Sequence, residues 1–308
     1  MNDIKIAAIL TVFNRKQKTL ACLQHLFETV EMYNSQDTAR GIVTLTVFMT
    51  DDGCTDGTAE AVKTTFPHQD IRILNGTGSL YWAGGMRLAW QTAINSGTPW
   101  EYFLLLNDDT YIYNNVFGEL FRADEYGYER VGRHGLSSGI TCQPGNRNET
   151  TYGGILFASK AKGRYVLAEP SGEPQAVDST HANILLVHKD VVAEIGIFYK
   201  GYRHGGADVD YAMTCNRHGL PVFVTAQVCG ECEFDHDSNK GEIERLMNMT
   251  LAERKAYVNS PTHSDYDYLL HIRRNLPKRY PLALLMRTIR LYFPRLYYRI
   301  THFRGVYG

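Results

Sequence analysis

Three groups of carboxylates stand out in this chain of 308 residues: Asp51-Asp52, Asp108-Asp109 and, two positions apart, Asp208 and Asp210. The first two pairs each follow a short apolar run, at 45–49 and 103–106. Adjacent carboxylates repel unless a cation or hydrogen-bond donors balance them, so a divalent metal with a phosphate-bearing ligand is the chemistry such a mouth suits. Asp56, with Thr58 two residues on, reads instead as an ordinary helix cap. Asp208 and Asp210 lie in a Gly-rich stretch that opens a helix, where partners of the helix dipole are the alternative to a catalytic role. The segment at 76–87, Gly-Thr-Gly-Ser-Leu-Tyr-Trp-Ala-Gly-Gly-Met-Arg, leads into a helix as a loop approaching a nucleotide or sugar phosphate would. It lacks the Gly-Lys-Ser/Thr of a phosphate-gripping ATPase loop and does not follow the first strand, where a dinucleotide fingerprint belongs.

The elements that must position these residues can be read from periodicity. Apolar residues at 4–12 predict a buried parallel strand, and Leu20, Leu23, Phe27 and Val30 share one helical face. Strand character returns at 42–49, helix at 58–66, strand at 71–74, helix at 84–96 and strand at 102–106. Such β-α units predict an α/β fold with a doubly wound, mostly parallel sheet and helices on both faces, whose ligands bind beyond the carboxyl ends of the strands. The stretch from 111 to about 177 has less regular patterning, with a surface loop at 169–174. After it come a strand at 183–187, a helix at 188–195, a helix reaching 216 and a strand at 221–225.

Composition narrows the class. Apolar residues are 44% and charged residues 21%, which excludes wholesale disorder and a disulfide-stapled miniprotein. Six dispersed cysteines and an N-terminus without a basic, then apolar, leader predict a reducing, cytoplasmic setting, where the triplets at Asn75, Asn148 and Asn248 carry no glycan. Cys229 and Cys232 form a Cys-x-x-Cys pair without the two further ligands of a zinc site. The net charge of −1 hides an asymmetry: residues 273–308 hold nine Lys or Arg and no Asp or Glu. The body is acidic, which excludes general nucleic-acid binding through the main domain.

The ordered set Thr-Val-Phe-Asn-Arg at 11–15, Thr-Asp-Asp-Gly-Cys-Thr-Asp-Gly-Thr at 50–58, Leu-Asn-Asp-Asp-Thr at 106–110 and Gly-Ala-Asp-Val-Asp-Tyr at 206–211 resembles family 2 glycosyltransferases of the GT-A fold, the inverting group that includes bacterial rhamnosyltransferase-like enzymes. The resemblance implies a catalytic domain at 1–240, with a nucleotide-binding half at about 1–110 and an acceptor-side half at 111–240, followed by a basic helical extension at 241–308. It implies that Thr11, Phe13 and Arg15 line the base and ribose pocket, and that Asp51 or Asp52 holds a base or ribose edge. Gly78, Trp82, Gly85 and Arg87 would lie along the donor, with Asn107 and Asp108 in the Asp-x-Asp region. Asp109 matches the carboxylate that reaches Mn²⁺ or Mg²⁺, and His236 the late His facing the metal or diphosphate. The base is Asp208 or Asp210, since Ala207 replaces the Glu that many relatives carry. His181 and Asn183 are expected to face the acceptor.

The expected reaction is metal-dependent transfer of a sugar from a UDP- or dTDP-sugar to a glycan or lipid-linked acceptor in surface polysaccharide synthesis. A sugar-nucleotide nucleotidyltransferase would need an early Gly-rich loop, and residues 11–18 contain no Gly. A non-catalytic carbohydrate-binding protein would not need Asp109 together with Asp208. The tail, with Arg273-Arg274, Lys278-Arg279, Arg287, Arg290, Arg295, Arg299 and Arg304 among Leu, Ile, Phe and Tyr, is expected either to lie on the anionic inner face of the cell membrane or to dock on its own acidic domain.

Overall fold

The computed structural model describes residues 3–37, 40–160, 163–234, 239–263 and 265–303. The chain runs β1 (Asp3–Val12), α1 (Lys16–Asn34), β2 (Ile42–Asp51), α2 (Thr58–Thr65), β3 (Ile71–Asn75), α3 (Tyr81–Asn95), β4 (Tyr102–Leu106), β5 (Tyr111–Ile112) and α4 (Val116–Val131). It continues through β6 (Leu136–Gln143), β7 (Asn146–Tyr152), β8 (Gly154–Ser159), β9 (Arg164–Leu167), β10 (Gln175–Ala176), β11 (Ser179–Thr180), β12 (Ile184–His188), α5 (Lys189–Ile195), α6 (Ala207–Arg217) and β13 (Val222–Glu231). Five helices close the chain: α7 (Asn239–Asn248), α8 (Leu251–Asn259), α9 (Asp265–Asn275), α10 (Tyr280–Tyr292) and α11 (Pro294–Phe303).

The main sheet has the order β10-β13-β6-β12-β4-β1-β2-β3. The pairs β2/β3, β1/β2, β1/β4 and β6/β13 are parallel, and β12 runs antiparallel between β4 and β6. Side-chain alternation explains why β1 and β4 read as unbroken apolar runs. Ile6, Ala8 and Leu10 of β1, with Leu104 and Leu106 of β4, pack among Leu23 and Leu26 of α1 and Phe117 and Leu120 of α4. Ala7, Ile9, Phe103 and Leu105 point the other way, onto Ala83, Met86 and Trp90 of α3. Both faces are covered, so both alternating sets must be apolar.

The early elements and the loop at 169–174 lie where periodicity places them. The region judged irregular contains α4 and the strands β5 to β10. β7, Asn-Arg-Asn-Glu-Thr-Thr-Tyr, is polar because its first residues are exposed. β6 carries buried Ser137, Ser138 and Thr141 in place of apolar residues, and Ser138 and Thr141 find partners in the hydroxyls of Thr180 and Thr151.

At the sheet end away from the paired carboxylates, His134 and His188 stack with centroids 4.0 Å apart, and His134 bonds Asp124, which also accepts from the Tyr102 hydroxyl. Asp124 holds His134 above the usual imidazole value, while burial pushes His188 down to about 4. The folded state therefore resists protonation of His188, a contribution present above the unfolded value near 6.5 and lost as pH falls toward 4. In chemical denaturation across that window His188→Asn, which keeps a side-chain acceptor for the Asp190 amide, is expected to lose less stability than the wild type.

Candidate functional site

The carboxyl ends of β1, β2 and β4 lie side by side, and antiparallel β12 begins at the same edge, where Ile184 is the register partner of Leu106. Arg15, just past β1, places its guanidinium 2.5 Å from Asp109 Oδ2 and 3.5 Å from Asp108 Oδ1. The two carboxylates differ sharply. Asp108 is buried, accepts a hydrogen bond from Thr19 of α1, and is pushed up to about 6 by desolvation against the opposing pull of Arg15. Burial and the Thr19 bond set Asp108, expected at the nucleotide, deeper than Asp109. Asp109 is partly exposed at the mouth. Asn107 accepts from the Trp82 indole N–H at 2.8 Å, so its side-chain oxygen orders the α3 start.

The second carboxylate pair also divides. Asp52 accepts three backbone N–H bonds, from Gly78, Leu80 and Tyr81, at 2.8–2.9 Å. These are the donors at the N-terminus of α3, so the loop expected to offer amides to a phosphate has given them to Asp52. Asp52 and Gly78, both expected along the nucleotide, are thus bonded to each other through the Gly78 amide. Gly78 holds φ +77°, a backbone state that favours glycine. Asp51 uses Oδ1 to accept from Gly53 and Cys54, which leaves it as the more available carboxylate for a base or ribose edge.

Gly85 is likewise a packing residue: a Cβ there would stand 2.0 Å from Thr11 Oγ1, and its carbonyl accepts from Thr50. Its glycine lets α3 close against β1. Thr11 thus faces α3, while Phe13 is 56% exposed at the rim. Arg87 reaches the Tyr199 carbonyl at 3.4 Å. Asn14 and Tyr81, at φ 50° and 54°, are the non-glycine residues of positive φ among the described residues, and both belong to this edge. Asn14 uses that geometry to accept from the Thr55 amide and donate to Cys54 Sγ, tying the first loop to the second.

Asp208 and Asp210 are separated by environment, although both belong to the first turn of α6. Asp210 is 2% exposed and held by the Arg274 fork at 2.9 and 3.1 Å and by Asn275 at 2.7 Å. Arg274 and Asn275 thus occupy both of its oxygens, unlike those of Asp208. Asp208 is partly exposed, carries no ion pair among the described residues, and accepts from the Ala182 amide at 3.0 Å. That bond brings it to the segment carrying His181, whose ring packs edge-on against Tyr152. Asn183, the other residue expected at the acceptor, is buried and donates to Cys232 Sγ.

α9 clamps the loop before α6: Asp267 accepts from the Arg203 and His204 amides at 3.1 and 2.8 Å, and Arg274 stacks over Tyr199. His204 is kept below the usual imidazole value by burial, against Asp267, and feels both Arg15 and Asp208. Cys22 donates to the Asn107 carbonyl, and the Cys232 thiol lies 3.9 Å from Asp109 Oδ1. Burial pushes Cys232 up to about 11, so it stays protonated. Asn14 reads only as part of a motif and Cys232 only as part of a Cys-x-x-Cys pair; Thr19, Cys22 and His204 are the neighbours of the site that sequence reading missed. Their partners are tens of residues away, and no local pattern marks them.

His236 lies outside the described residues. Among those described, no three His, Cys, Asp or Glu side chains gather as a metal cage, and the six cysteines are free thiols. A hard cation that takes one protein carboxylate and completes its shell with ligand phosphates and water, as Mg²⁺ commonly does, would share Asp109 with the Arg15 guanidinium, which stands at its Oδ2.

No family model matches the chain, and no curated protein matches it. The fold is similar to S. aureus TarS 1–349 in complex with UDP (TM-score 0.51, 12% identity, 90% of this chain and 72% of that one). The complex of the same protein with UDP-GlcNAc gives TM-score 0.51 and 12% identity over 90% of this chain and 73% of that one. A Pyrobaculum calidifontis mannosyltransferase, PcManGT, in complex with GDP-Man and Mn²⁺ gives TM-score 0.49 and 17% identity over 92% and 74%.

Proposed function

We propose that this chain is an inverting glycosyltransferase that moves a sugar from a UDP- or dTDP-sugar to a glycan or lipid-linked acceptor in surface polysaccharide synthesis, on the cytoplasmic side of the membrane. The observation that carries the reading is the convergence of Arg15, Asp109 and partly exposed Asp208 at one edge of a sheet folded like nucleotide-sugar-bound TarS.

In this reading Asp51, Thr11 and Phe13 border the nucleoside, and Arg15 meets the diphosphate. Asp109 would hold Mn²⁺ or Mg²⁺, which would supply positive charge to the leaving phosphate oxygens. Asp208 takes the proton of the acceptor hydroxyl as its oxygen bonds the anomeric carbon. The bond from that carbon to the phosphate oxygen breaks, its electron pair leaves with the nucleoside diphosphate, and attack from the opposite face inverts the configuration.

Asp109→Ala tests the reading by calorimetry with UDP, dTDP and GDP. The wild type is expected to bind one of them at least about tenfold more tightly with Mn²⁺ than without, and the variant to lose that difference. Because the substitution also frees Arg15, metal-free affinity is expected to persist. A variant that keeps the full Mn²⁺ effect removes Asp109 from the metal.

A further inference from the structure

We propose that the outer face of α10 and α11 docks on an anionic lipid bilayer. This goes beyond the transfer reading, because it assigns a surface remote from the carboxylates. Leu282, Leu285, Ile289 and Phe293 recur at steps of three, four and four residues, the spacing of one helical stripe. Instead of facing a core, Leu282 is 50%, Leu285 55% and Phe293 62% exposed. Phe293 stands at the corner where α10 ends and Pro294 starts α11, and exposed Leu296 continues the apolar surface.

Seven of the tail's nine cations divide into two sets. Arg274 pairs with Asp210, Arg287 and Arg290 pair with Asp265, and Arg290 also reaches Glu242, so these three fasten the extension to itself and to α6. Arg273, Lys278, Arg295 and Arg299 are exposed and make no ion pair among the described residues. No acidic residue follows Asp267, so nothing on this segment neutralises them. An apolar stripe edged by unneutralised Arg and Lys matches a lipid interface, with cations at headgroup phosphates and Leu and Phe in the acyl boundary. Two copies meeting through this face would bring the same cations together. No helix among the described residues is long and apolar enough to cross a membrane, so the contact is a surface one.

The test is flotation of the full chain with vesicles of phosphatidylcholine alone and of equal parts phosphatidylcholine and phosphatidylglycerol, without nucleotide. Binding is expected to the mixed vesicles only, to weaken with added salt, and to fall roughly fivefold per cation in Arg295→Gln and Arg299→Gln. Leu285→Glu with Phe293→Glu is expected to lower it at least about tenfold. All four positions are exposed, and unchanged melting temperatures verify the fold. A chain ending at Ile272 would not serve, because it also removes the Arg274 partner of Asp210. Absence of binding to mixed vesicles overturns the proposal, as does equal binding by the Leu285/Phe293 variant. A concentration-dependent dimer that this variant abolishes would assign the face to a second copy. Because no nucleotide is present, failure here leaves the transfer reading standing, and failure of that reading leaves this one standing.

Discussion

Asp208→Asn is expected to lower sugar transfer by roughly two to four orders of magnitude while leaving nucleotide-sugar affinity and melting temperature close to those of the wild type. Asparagine keeps an oxygen to accept from the Ala182 amide, so the local bond survives and only the capacity to take a proton is lost. A paired measurement of turnover and donor affinity separates these quantities. Full activity in this variant would remove Asp208 from the chemistry.

Arg274→Ala is expected to cost about 3 kcal/mol of stability, because it strands Asp210, whose side chain is 2% exposed, without its countercharge. Asn275 continues to donate to Asp210, which places the cost toward the lower end for a broken buried pair. Asp210→Asn is expected to cost less, since the abandoned Arg274 is 27% exposed and can be solvated. Arg274→Lys, which keeps the charge and loses the two-pronged geometry, falls between them. Denaturant unfolding of the three variants reads the order directly. If Arg274→Ala is as stable as the wild type, α9 is not fastened through this pair.

The parts of the fold that sequence made legible are those in which burial imposes a period. β1 and β4 are covered on both faces, and α1 presents a stripe to the sheet, so their patterns are simple. α4 carries an apolar face, Val116, Phe117, Leu120 and Phe121, inside the stretch whose patterning read as less regular. β6 and β7 escaped because one buries hydroxyls and the other exposes polar residues. In the site, the identity of the carboxylates was legible and their division of labour was not. Asp51 and Asp52 differ only in which amides they capture, and Asp208 and Asp210 only in whether α9 reaches them. Asp51 captures amides two and three residues on, whereas the partners of Asp52, Asp208 and Asp210 that set them apart lie 26 to 65 residues away. The same holds for Gly85, whose meaning is a clash with Thr11 that no local pattern contains.

The most direct test of the central claim is thermal unfolding of the wild type with a panel of UDP-, dTDP- and GDP-sugars, each with and without Mn²⁺. At a hundredfold excess over its dissociation constant a ligand contributes about 2.7 kcal/mol, which for a chain of this size raises the melting temperature by roughly 5 °C. The account predicts such a rise for one nucleotide sugar with Mn²⁺, a smaller rise without it, and loss of the Mn²⁺-dependent part in Asp109→Ala. No rise with any member of the panel, with or without metal, would contradict it.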